Sequence, residues 1–199
     1  MMSDILPNQC TLKNEVTLNG VGLHTGKNVT LTFKPAPANT GYVFKRIDLE
    51  GEPCIVADAN YVTNTQRGTN LEKDEVTIQT SEHVLAALVG LEVDNCILEL
   101  NTSEPPIMDG SSKFFVEAIE KAGIVTQDAV REEYVVTEII NYLDEETGSE
   151  ITILPADTYQ VTTMVDFGTK VLGTQNASIK NISEFKSEIS DSRTFSFLH

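Results

Sequence analysis

Thr80-Ser81-Glu82-His83-Val84-Leu85-Ala86-Ala87-Leu88 is the stretch from which the rest of this chain can be read. It has the pattern of a helix start. Thr80 or Ser81 can cap the first turn through a side-chain oxygen. Val84, Leu85, Leu88 and Leu91 then recur at helical spacing, so one face is apolar and seeks a core. Glu82 and His83 fall in the first turn ahead of that face. The positive end of the helix dipole stabilises a carboxylate there and disfavours a protonated imidazole. A neutral imidazole is the metal-ligating form. A carboxylate beside a metal-activated water is placed to take its proton. The plain alternative is a surface helix start with two polar residues.

Outward from this helix, the segments before it read as strands. Thr11 to Asn19 alternates loosely, and Gly20-Val21-Gly22-Leu23-His24-Thr25-Gly26 follows as a tight turn. Asn28 to Lys34 alternates cleanly, with Val29, Leu31 and Phe33 on one face. Tyr42 to Asp48, Cys54 to Ala57 and Val76 to Gln79 are further strand candidates. After the helix come a strand from Asn95 to Leu100 and a rigid loop, Ser103-Glu104-Pro105-Pro106-Ile107-Met108-Asp109-Gly110-Ser111-Ser112. Ser111 or Ser112 is expected to cap a second helix lined by Phe114, Phe115, Ala118, Ile119 and Ala122, with Gly123 as its stop.

These elements suggest an α+β fold of two domains, copies of one β-rich unit with later helices. The first spans 1–125, a polar linker 126–132, and the second 133–199. Beyond the linker the strand pattern restarts at Tyr134 to Tyr142, Glu150 to Leu154 and Gln160 to Phe167. Val29-Thr30-Leu31 before Pro35-Ala36 is echoed by Ile151-Thr152-Ile153 before Pro155-Ala156. The second half offers one modest helix, Ile182 to Ile189. A sheet without its covering helices leaves apolar surface in water. The second domain is therefore expected to be incomplete and this piece to self-associate.

Composition narrows the function classes. The 199 residues carry a net charge of −16, which argues against a nucleic-acid binder. Cys10, Cys54 and Cys96 are too few and too scattered for a disulfide framework or a structural zinc site. The first residues lack a signal-peptide pattern, and no apolar run approaches membrane-spanning length. A cytoplasmic location is the expectation.

Taken in order, the Gly20–Gly26 turn, the Thr80–Leu88 helix start and Asp94-Asn95 line up with Glu104–Ser111 and Ser192-Arg193-Thr194-Phe195-Ser196-Phe197. Together they resemble the UDP-3-O-acyl-N-acetylglucosamine deacetylase family, zinc amidases of lipid A synthesis, from about Gln9 to His199. The resemblance implies two similar domains, each layering a sheet against helices. It implies Glu82 as general base and His83 as a Zn2+ ligand. It implies that Thr194 helps hold the carbonyl oxygen and that Phe195 and Phe197 contact the substrate, UDP-3-O-acyl-N-acetylglucosamine. More loosely, it sets Arg67, Gly68 and Thr69 beside the acetamide and brings His24 near the cleft. A structural hydrogen bond across its turn is an equal alternative for His24. Asp109 reads as a turn and capping residue, and Arg193 as either a substrate contact or an internal ion pair.

One departure matters. The family's other zinc ligands, a histidine and an aspartate, come after the Phe-x-Phe motif, as do a catalytic histidine and a lysine. The histidines here are His24, His83 and His199. A catalytic zinc needs about three protein ligands, so this piece is expected to be inactive. The competing reading is a non-catalytic α+β binding or self-associating module.

Overall fold

The computed structural model describes residues 7–194. Phe195, Phe197 and His199 lie outside them. The fold is α+β and divides into two units. One takes in the described residues up to Arg131 together with those from Phe185 onward; the other is Glu132–Glu184.

The larger unit opens with β1 (Asn8–Leu12), β2 (Val16–Val21), β3 (Asn28–Pro35), β4 (Tyr42–Arg46) and β5 (Cys54–Val56). Three short strands follow: β6 (Val62–Asn64), β7 (Asn70–Lys73) and β8 (Val76–Ile78). Helix α1 (Glu82–Gly90), strand β9 (Cys96–Leu100), helix α2 (Lys113–Ala122) and strand β10 (Ile124–Val130) complete the run, and α3 (Phe185–Glu188) rejoins it. The main sheet has the order β2-β3-β9-β4-β5, parallel only between β4 and β9. Strands β6-β7-β8 form a small antiparallel sheet, and β1 pairs with β10.

The period-2 pattern of β3 decides its orientation. Val29, Leu31 and Phe33 are buried, while Thr30 and Thr32 face away. Phe44, Leu98 and Leu100 extend the same inner face, and Val84, Ala87 and Leu88 of α1 with Phe115 and Ile119 of α2 are buried with them. Phe33 and Phe115 meet with ring centroids 6.3 Å apart. Burying this apolar face fixes the rotation of α1, and hence the direction in which its first turn faces.

Several local expectations change. Neither Thr80 nor Ser81 caps α1 through its side chain. The Thr80 hydroxyl donates to Glu104 Oε1 at 3.0 Å, and the Ser81 hydroxyl donates to the Thr69 carbonyl at 2.9 Å. Both act as donors to neighbouring segments instead of accepting from the helix. At α2, Ser112 likewise makes no side-chain cap and donates to the His83 carbonyl at 3.0 Å. Ser111 Oγ accepts the Lys113 N–H at 3.2 Å. Gly123 stops α2 at φ +77°, its N–H reaching the carbonyls of Ile119 and Glu120.

Segment 126–132, expected as a linker, is mostly strand β10. Its polar composition serves the pairing. Gln127 Oε1 accepts from the Asn95 amide at 2.8 Å, and Gln127 Nε2 donates to the Ala36 carbonyl at 2.9 Å. Asn95 is itself buried, and its Oδ1 accepts the N–H groups of Thr40 and Gly41.

The smaller unit is two antiparallel hairpins, β11 (Ile140–Leu143) with β12 (Glu150–Ile153), and β13 (Val161–Asp166) with β14 (Thr174–Ile179). The strand expected from Tyr134 shrinks to Ile140–Leu143, and β14 is one the alternation did not reveal. Tyr134, Val135, Tyr142, Ile151 and Met164 are exposed. Among the described residues no helix is long and apolar enough to cross a membrane.

Candidate functional site

Glu82 and His83 are the first two residues of α1, and both are half-buried. Glu82 Oε1 lies 3.8 Å from His83 Nε2, and Glu82 Oε2 accepts the backbone N–H of Thr69 at 2.8 Å. The turn between β6 and β7, which contains Arg67, Gly68 and Thr69, is thereby held against the helix start. Ser81 reinforces it, because its N–H and its hydroxyl both donate to the Thr69 carbonyl. A Cβ added at Gly68 would sit 3.4 Å from Glu82 Oε1 and equally close to Thr80 Oγ1. Gly68 thus lets the turn come up against both side chains.

His24 joins the same group from another direction. Its Nε2 bonds the Arg67 carbonyl at 3.2 Å. A carbonyl only accepts, so the proton is on Nε2. The ring therefore ties the 20–26 turn to the β6–β7 turn. That hydrogen bond crosses between two turns, where a bond within its own turn had been one of two expectations.

Two sequence motifs meet behind this group. A Cβ on Gly20 would fall 2.7 Å from Pro106 Cβ, and one on Gly22 would fall 2.6 Å from Glu104 Oε2. Gly20 is needed because the Pro-Pro loop packs directly on its backbone, and Gly22 because the Thr25 hydroxyl of its own turn and the Glu104 carboxylate both close on it. Glu104 is completely buried. Its Oε1 accepts from the His24 N–H and the Thr80 hydroxyl, and its Oε2 from the Thr25 N–H and the Thr25 hydroxyl, all at 3.0–3.1 Å. Burial pushes the Glu104 carboxyl up, but the hydrogen bonds from Thr25, His24 and Thr80 outweigh it and hold the carboxyl below its ordinary value. The glycine-rich turn and the Glu-Pro-Pro loop were each visible in the sequence. Nothing in their spacing shows that a carboxylate of one clamps the other.

Thr194 is exposed, and its N–H donates to the Gly110 carbonyl at 2.8 Å. The described contacts do not join Thr194 to Glu82 or His83. Arg193 Nε lies 3.3 Å from Asp109 Oδ2, the internal ion pair that was one of its two readings. Asp109 Oδ1 accepts from the N–H and hydroxyl of Ser111, a turn role. Among the described residues no three His, Cys, Asp or Glu side chains come together as a metal-holding group. A shallow groove of about 390 Å³ is lined by Asn19, Gly20, Val21, Ile107, Met108, Asp109 and Phe114, and contains neither Glu82 nor His83.

Geometry alone gives an oriented carboxylate with one oxygen committed to a backbone N–H and the other beside an imidazole. Such a pair can exchange a proton with a water and offer one nitrogen to a cation. Comparison with known proteins adds the rest. Residues 9–199 match the family model described as LpxC: UDP-3-O-acyl N-acetylglycosamine deacetylase. The chain is 46% identical over 195 residues to the bifunctional enzyme LpxC/FabZ of Chlorobaculum tepidum, covering 98% of this chain and 42% of that protein. It is 44% identical over 190 residues to the enzyme of that name from Bacteroides thetaiotaomicron, covering 96% and 41%. It is 42% identical over 199 residues to the UDP-3-O-acyl-N-acetylglucosamine deacetylase of Chromohalobacter salexigens, covering 96% and 63%. The chain thus spans less than two thirds of the length of each of these relatives.

Proposed function

Because the chain belongs to the UDP-3-O-acyl N-acetylglycosamine deacetylase family, we propose that it is part of a zinc-dependent amide hydrolase acting in lipid A biosynthesis. The substrate is UDP-3-O-acyl-N-acetylglucosamine, the group removed is its N-acetyl, and the location is the cytoplasm. The observation that supports this best is the Glu82 carboxylate, held by the Thr69 N–H and set 3.8 Å from His83 Nε2.

The donor set fits zinc in part. His83 offers one imidazole nitrogen beside a carboxylate. A hydrolytic zinc takes about three protein ligands, of which His83 would supply one. When bound, zinc supplies Lewis acidity to a water and to the acetamide carbonyl.

The remaining chemistry belongs to this chain's residues. Glu82 takes a proton from the attacking water through Oε1, while Oε2 keeps its bond to Thr69 and fixes the approach angle. Glu82 then returns the proton to the leaving amine. Thr194 steadies the carbonyl oxygen through its hydroxyl. Phe195 and Phe197 contact the substrate. Arg67, Gly68 and Thr69 border the acetamide, and His24 holds that stretch through its hydrogen bond to the Arg67 carbonyl. The hairpins of 132–184 belong to a second α+β domain, and their exposed apolar residues make the isolated chain self-associate.

The test uses the sequence extended to the length of its deacetylase relatives. Incubated with UDP-3-O-acyl-N-acetylglucosamine, it releases acetate, loses that activity to a chelator and regains it with zinc. A well-folded full-length protein that releases no acetate overturns the reading.

A further inference from the structure

Glu104 has no part in the chemistry above, yet it is the most completely buried carboxylate in contact with the site's supporting loops. Among the described residues its partners are two backbone N–H groups and two hydroxyls, with no lysine or arginine. A buried charge of this kind is costly unless its hydrogen bonds are complete. Every donor it uses belongs to a segment that bears on Glu82.

One arm runs through the glycine-rich turn. Glu104 accepts the N–H of His24 with both oxygens, at 3.1 Å each. The His24 ring then holds the Arg67 carbonyl, and Thr69, two residues on, donates its N–H to Glu82. The other arm runs through Thr80. This β-branched residue has φ +52°, an unfavourable region for any residue but glycine. Its hydroxyl bond to Glu104 helps hold it there, immediately ahead of Ser81 and Glu82. The two arms close on the same carboxylate, because Ser81 and Glu82 both bond Thr69.

We propose that Glu104 is the positioning residue of the Glu82–His83 site, setting the angle of the Glu82 carboxylate through the His24 turn and through Thr80. It touches neither substrate nor metal. The kinetic arm of its test rests on the deacetylase reading; the hydrogen-exchange arm does not.

The experiment compares the full-length protein with Glu104→Gln, Thr80→Val and the double variant. Glutamine keeps the shape of the side chain but sets an amide NH2 against donors that need an acceptor. The expected Glu104→Gln protein keeps its zinc and its KM within about twofold while kcat falls on the order of 10–100-fold, the scale of a small misplacement. The Thr69 amide, which does not touch Glu104, exchanges with solvent at least about tenfold faster by NMR. Thr80→Val moves both readouts in the same direction by less, and the double variant is no worse than Glu104→Gln. Parental kcat per zinc together with unchanged Thr69 exchange in Glu104→Gln overturns the proposal. Should that variant fail to fold, Thr80→Val decides by the same two readouts. Should the unaltered full-length protein release no acetate, the deacetylase reading falls, while Thr69 exchange still decides the role of Glu104.

Discussion

The Glu82 carboxylate accepts the backbone N–H of Thr69 at 2.8 Å, so its orientation is set by a turn 13 positions earlier in the chain. A surface glutamate in the first turn of a helix would be free to rotate. This one has one oxygen committed and the other facing the imidazole of the next residue.

Glu82→Gln separates that geometry from the chemistry. The amide oxygen can still accept the Thr69 N–H, but the side chain no longer takes up a proton near neutral pH. On the proposed deacetylase reading, the full-length variant is expected to lose acetate release by about 10²–10⁴-fold, with zinc content unchanged. Near-parental turnover would remove Glu82 from the role of base.

His83→Ala should act on the metal instead. The His83 carbonyl receives the Ser112 hydroxyl through the backbone, a bond the substitution keeps, so the two helix starts stay joined. The full-length variant is expected to fold with a parental circular-dichroism spectrum and to bind zinc far more weakly, read by elemental analysis after dialysis. Full zinc occupancy would show that His83 is not a ligand.

How much of this was legible in the sequence depended on whether a signal was local. The alternation of Val29, Leu31 and Phe33 named its own strand, because burial of one sheet face imposes a period of two. Gly123 named its helix stop, because a positive φ favours glycine. Thr80 and Ser81 misled: hydroxyls before an apolar helix look like caps, and only the tertiary structure supplies the stronger acceptors, Glu104 and the Thr69 carbonyl. Gln127 misled in the same way, its polarity suggesting a linker until Asn95 and Ala36 came within hydrogen-bonding distance. Glu104 gave no local signal at all, since its partners lie 24 to 80 positions away.

The stability of the fold should carry the signature of Glu104. Its carboxyl is held below the ordinary glutamate value of 4.5, with the bonds from Thr25, His24 and Thr80 overcoming burial. A group whose folded value is depressed contributes stability that is complete above its unfolded value and is lost as pH falls through the folded one. Unfolding of the parent and Glu104→Gln should therefore differ by a constant amount above about pH 5 and by progressively less below pH 4.5. Urea melts across pH 3 to 7 measure the gap. A gap that stays level down to pH 3 would mean that the folded state does not favour the ionised carboxylate.

Gly90 tests the packing that carries α1. Alanine in place of a helical glycine ordinarily gains up to about 1 kcal/mol. Here a Cβ would enter the ring of Phe185, within 2.6 Å of Cε1 and nearer still to Cγ and Cδ1. Phe185 is nearly buried and begins α3, so its ring cannot swing aside without exposing apolar surface. Overpacking of this kind costs about 1–3 kcal/mol, which exceeds the propensity gain, and Gly90→Ala should be destabilising. Phe185→Ala removes the obstacle at a cost of about 3–5 kcal/mol. In that background Gly90→Ala should cost little or even recover stability, since the two positions share one contact. Equal or greater stability of the single Gly90→Ala variant in denaturant melts would show that Phe185 does not seat against α1.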